Sequence, residues 1–133
     1  MKLLLLLSLI ITACRNADDD LIVEPAGAAS YFIKNNSSSD ISVAFTTFGA
    51  PGTSPQIYGT IPAGDRQEIF KDGSFGFNPM PRDSFGEITF SWIDVDGETT
   101  VVYSPIVNED WEITFEDFES GDYGVRFYEY AFP

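Results

Sequence analysis

The chain has 133 residues with 21 acids, 7 bases, no histidine and one cysteine, for a formal charge of −14. A body this acidic repels phosphate backbones, so nucleic-acid binding is excluded. Without histidine the commonest general base and transition-metal ligand are absent, and a lone cysteine rules out both an internal disulfide and a thiolate zinc site.

Met1 and Lys2 precede an apolar run from Leu3 to Ile11 that is broken only by Ser8, and Thr12, Ala13 and Cys14 follow. One cation, a short apolar stretch and small residues make the layout of a secretory signal peptide. As a helix the run would reach roughly 14 Å, about half of a ~30 Å hydrocarbon core, so it is expected to be removed and not to span. The tetrad Ile11-Thr12-Ala13-Cys14 resembles the lipobox of bacterial lipoproteins, which implies acylation of Cys14 as the first residue of the mature chain. Each buried methylene contributes ~0.8 kcal/mol, and two or more chains anchor stably. Removing residues 1–13 leaves 120 residues, enough for one domain, and with Lys2 gone the charge becomes −15.

Asp18, Asp19 and Asp20 follow the cysteine closely and resemble the acidic export signal of surface-exposed Bacteroidota lipoproteins. That implies an outer-membrane protein held at the cell surface, the alternative being the periplasmic face. Residues 14–27 are expected to form an acidic tether of ~20 Å reach, within which Leu21-Ile22-Val23 could add an edge strand.

From Ala28 to Pro133 the pattern predicts a single all-β domain. Ser30 to Lys34 is a first strand, ended by the turn-forming run Asn35 to Asp40. Ile41, Val43 and Phe45 alternate with Ser42, Ala44 and Thr46, which gives one apolar face. Ile57 to Ile61 is next, Ile61-Pro62-Ala63-Gly64 is a turn with proline second, and Arg66 to Lys71 pairs back. Ile88, Phe90 and Trp92 alternate with Glu87, Thr89 and Ser91, and the turn Asp94-Val95-Asp96-Gly97 leads to a returning strand from Thr99 to Ser104. Trp111, Ile113 and Phe115 mark a seventh strand, and Tyr123 to Phe132 an eighth. About eight short strands without a useful helix predict an antiparallel β-sandwich, immunoglobulin-like, with a small β-barrel as the alternative.

The segments Tyr31-Phe32-Ile33-Lys34-Asn35-Asn36-Ser37-Ser38, Ile61-Pro62-Ala63-Gly64 and Trp111-Glu112-Ile113-Thr114-Phe115-Glu116-Asp117-Phe118 together resemble small Bacteroidota lipoproteins with a β-sandwich body. The resemblance implies a fold and a habitat, and it carries over no catalytic or binding residue.

Carboxylates remain as chemistry. Glu112, Glu116 or Asp94 could supply a glycosidase pair, but chance pairs are common among 21 acids and the expectation is a protein that is not an enzyme. Asp94, Asp96 and Glu98 place oxygens at alternate positions around Gly97, a weak candidate for calcium, against the plainer reading as a hairpin turn; Asp117, Glu119 and Asp122 form a weaker cluster. Residues 73–85 set aromatics among Gly and Pro without alternation. Phe75, Phe77, Arg82 and Phe85 are therefore candidate ligand contacts, or else the three phenylalanines cap the core. The expected function is a membrane-anchored binding module for a glycan or protein partner; the alternative is an envelope-assembly subunit that docks through a sheet edge.

Overall fold

Alternating apolar residues need two sheets to bury them, and two sheets are what the computed structural model contains; it describes residues 26–48, 56–118 and 123–133. The strands are β1 (Ala26–Asn35), β2 (Ile41–Thr47), β3 (Gln56–Ile61), β4 (Arg66–Phe75), β5 (Phe85–Asp94), β6 (Gly97–Tyr103), β7 (Trp111–Asp117) and β8 (Val125–Phe132). A single helical turn, α1 (Pro81–Ser84), precedes β5, and a 3-10 turn at Asn108–Asp110 precedes β7. Sheet A has the order β4-β1-β8-β7 and sheet B the order β3-β2-β5-β6. No pairing joins the two sheets among the described residues, so the body is an open eight-stranded β-sandwich and not a closed barrel. Five of the six strand pairs are antiparallel; β1 and β8 run parallel, with Tyr31 beside Tyr128.

Several bounds differ from expectation. The body begins at Ala26, so Ala26 and Gly27 belong to β1 and not to the tether. Gly27 is required there: a Cβ on it would run into the Phe77 carbonyl oxygen and come within 2.7 Å of the Asn78 Cα. The β3–β4 turn sits one residue later than proline placement suggests. Asp65 N–H donates to the Pro62 carbonyl (3.1 Å), and Gly64, at φ +80°, takes the third position where a positive φ is needed. Cys14, Asp18, Asp19, Asp20 and the segment Leu21-Ile22-Val23 lie outside the described residues.

The core is unusually aromatic. Tyr31 is fully buried and packs edge-on to Phe85 (4.9 Å between ring centroids) and Trp111 (5.8 Å), and stacks on Tyr128 (5.6 Å). Phe90, Phe132, Tyr130 and Tyr103 continue the stack toward the other end. Such pairs add about 0.5–1.5 kcal/mol each beyond the area they bury. Ile41, Val43 and Ile88 fill the spaces between rings, as the period-two pattern predicts.

Candidate functional site

The segment 73–85 is divided by the structure. Phe85 is buried at the start of β5 against Tyr31 and Trp111, which corrects its assignment as a ligand contact: it is core. Phe75 closes β4 and is 70% exposed, Phe77 is 47% exposed, and Arg82 is exposed on α1. The backbone between them is pinned. The Asn78 side-chain amide donates to the carbonyls of Gly124 (2.6 Å) and Ala28 (3.3 Å) and accepts from Gly124 N–H (3.3 Å). Asp83 accepts from Met80 N–H (3.1 Å) across the first turn of α1. Ser84, 1% exposed, accepts from the Tyr31 hydroxyl (2.7 Å) and donates to Asp72 (2.6 Å). Burial is the largest cause holding the Tyr31 hydroxyl well above the ordinary tyrosine range. Ser84 has a carboxylate beside it yet no access to substrate, so this chain of hydroxyls is a brace for α1.

All of this segment lies at one end of the sandwich. Ala26 pairs with Phe75, β8 begins beside β1, and Phe48 at the end of β2 donates its N–H to the Ser84 carbonyl (3.1 Å). The chain therefore enters the body at the same end that carries the exposed phenylalanines.

At the Asp94 hairpin, Asp94 accepts from Asp96 N–H (2.8 Å) with one oxygen and from the Thr99 hydroxyl (2.9 Å) with the other. These bonds, the first of them foremost, hold its carboxyl below the usual carboxylate range. Asp94 pairs with Gly97, so the loop is the two residues Val95 and Asp96, and Gly97 closes it at φ +123°, a conformation that suits glycine. Both Asp94 oxygens thus serve the turn, and among the described residues no group of three or more carboxylates, histidines or cysteines converges as a metal cluster. Glu112 and Glu116 are likewise not brought together. A bulge between Ile113 and Phe115 shifts the alternation, so Glu112 lies beside Glu129 and Glu116 beside Arg126, on opposite sides of β7. Asp94 stands in the other sheet.

The outer face of sheet A is tied up by its own residues. Phe115, Phe127 and Phe32 form a ladder across β7, β8 and β1, and the Arg66 guanidinium covers the Phe32 ring at 3.7 Å while pairing with Glu129.

Among the described residues the outer face of sheet B is uncovered, and a row of hydroxyls crosses it. Thr60 of β3 pairs with Ser42 of β2, Ser42 with Ser91 of β5, and Ser91 with Thr100 of β6. Strands ~4.8 Å apart make this row about 14 Å long. Ser91 and Thr100 share a hydrogen bond of 2.9 Å. A shallow depression of about 400 Å³ lies over Asp40, Ser42, Thr60, Ser91 and Ile93, and an adjoining one of about 330 Å³ extends it to Glu98. Its rim is held by buried Asn35, whose amide donates to the carbonyls of Ile61 (3.1 Å) and Ser39 (2.8 Å) and accepts from Ser37 N–H (3.0 Å). Asp40 accepts from Ala63 N–H (3.0 Å), which joins the two turns beside the depression. Sequence alternation places Ser42 and Ser91 outward, but only the register of four strands aligns them with Thr60 and Thr100.

No protein-family model matches the chain, and no curated protein matches it significantly.

Proposed function

We propose that the chain is a lipid-anchored, non-catalytic binding module of a Bacteroidota outer membrane, displayed at the cell surface and engaging a glycan on the outer face of sheet B. The single observation that carries this reading is the hydroxyl row Thr60-Ser42-Ser91-Thr100, whose first three members line a shallow depression that runs from the Asp40 carboxylate to that of Glu98. Hydroxyls donate and accept, carboxylates accept from sugar hydroxyls, and exposed Ile93 offers an apolar patch for the C–H side of a ring. Four net hydrogen bonds at about 1 kcal/mol each correspond to roughly millimolar affinity. Many anchored copies facing a polymer would raise that by avidity. The lipobox-like tetrad ending in Cys14 and the aspartates at 18–20 support the anchoring and export.

A glycan array probed with the full chain tests the reading. Binding is expected to at least one acidic-poor polysaccharide, and Ser42→Arg is expected to weaken it tenfold or more without shifting the thermal midpoint. An array that stays silent, or binding indifferent to Ser42→Arg, contradicts it.

One observation favours a second reading, an assembly subunit that docks by strand addition. β7 is the outer strand of sheet A, and its Ile113 and Phe115 are nearly half exposed. Under that reading Phe115→Lys abolishes capture of an envelope protein, and Ser42→Arg does not.

A further inference from the structure

We infer that the end of the sandwich bearing Phe48, Phe75 and Phe77 is a lipid-contacting foot that seats on the bilayer holding the anchor. The inference rests on the reading of Cys14 as the acylated residue. Eleven residues separate Cys14 from Ala26, and even fully extended a segment of that length spans at most about 40 Å. The end at which the chain enters is therefore the end kept against the membrane, and Ala26 is the direct strand partner of Phe75.

That end presents large apolar side chains to solvent. Phe75 is 70%, Phe48 63% and Phe77 47% exposed, and Met80, three residues after Phe77, is also exposed. Rings in mobile loops could fold back, but these are carried on braced backbone: Asn78 ties their segment to β1 and to Gly124, Gly27 admits the Phe77 carbonyl, and Ser84 locks α1 to Tyr31 and Asp72. Rigid display of apolar rings next to a membrane tether suits partition into the interfacial region of the bilayer. Charge selects the lipid. The mature chain at −15 is repelled by anionic headgroups, and Arg82, the cation of this segment, lies 3.9 Å from Asp83, so the foot fits zwitterionic lipid. Seated this way, the strands stand on the membrane and the outer face of sheet B is directed sideways, open to ligand.

Hydrogen exchange on the full acylated chain in phosphatidylcholine vesicles, compared with the same chain in detergent, tests this. Amides of 74–80 are expected to exchange at least fivefold more slowly in vesicles, and those of the 94–98 hairpin at the opposite end equally fast in both. In Phe75→Ser/Phe77→Ser the slowing should vanish while thermal midpoint and intact mass stay those of an acylated, folded chain. Equal exchange of 74–80 in both media, in a chain whose mass shows acyl groups on Cys14, overturns the foot and leaves the anchor standing. A mass showing a free Cys14 thiol overturns the anchor and the foot with it.

Discussion

Ser84 shows how much a single buried hydroxyl can decide. It receives the Tyr31 proton donor and passes its own to Asp72, so Ser84→Ala strands a fully buried tyrosine hydroxyl. The expected cost is about 1–3 kcal/mol in urea unfolding, with the m-value unchanged. Tyr31→Phe, which removes the orphan as well, should cost less in the same measurement. Burial is also the first cause of the raised tyrosines: Tyr103 is pushed up to about 12, and Tyr31 and Tyr130 rise as well. A free tyrosine ionises near pH 10, so above that pH the unfolded chain loses its protons first. Stability is therefore complete below pH 10 and declines as pH climbs from 10 through 12, which thermal melts across that range will show as a falling midpoint. A flat midpoint from pH 9 to 12 would contradict the burial of these hydroxyls.

At the level of elements, alternation in the sequence was sufficient for β2 and β5, because one face of each is buried and the period of two survives in the side chains; it located β7 as well, but there only Trp111 is buried and a bulge between Ile113 and Phe115 breaks the period. The Asp94–Gly97 turn was equally readable, since its Asp and Gly serve local backbone needs. The starts of two strands escaped. β1 begins with Ala26 and Gly27, small residues that carry no strand signal and are there because another segment packs on them. β5 begins at Phe85, hidden by Pro79, Pro81 and the turn α1 just before it, so a core ring was set among loop residues. Gly27→Ala tests the packing account. The added methyl forces the Phe77–Asn78 segment off β1, and the thermal midpoint should drop by several degrees, with raised proteolysis between residues 76 and 80. A midpoint unchanged by the substitution would show that the contact is slack.

For the molecule as a whole, the sandwich was readable but its wiring was not. Pairing of β1 with β8 joins the two ends of the domain, and no local pattern records a partnership that distant. The candidate site suffered most from this. Hydroxyls at 42, 60, 91 and 100 look like ordinary solvent-facing residues in their own strands, and only the register of sheet B lines them up. The aromatic segment, by contrast, stood out in sequence as a candidate ligand loop or a core cap; the structure buries Phe85, leaves Phe75 and Phe77 exposed, and sets them at the chain-entry end, where we propose a membrane-side foot. Under the proposed function and the foot inferred above, anchor, foot and open face make one arrangement in which recognition occurs on the flank of a body standing on lipid. Amide chemical shifts of the full chain, titrated with the oligosaccharide that binds best on the array, test that arrangement most directly. The account predicts perturbations running across Ser42, Thr60, Ser91 and Thr100, whereas shifts confined to 75–82, or none, would contradict it.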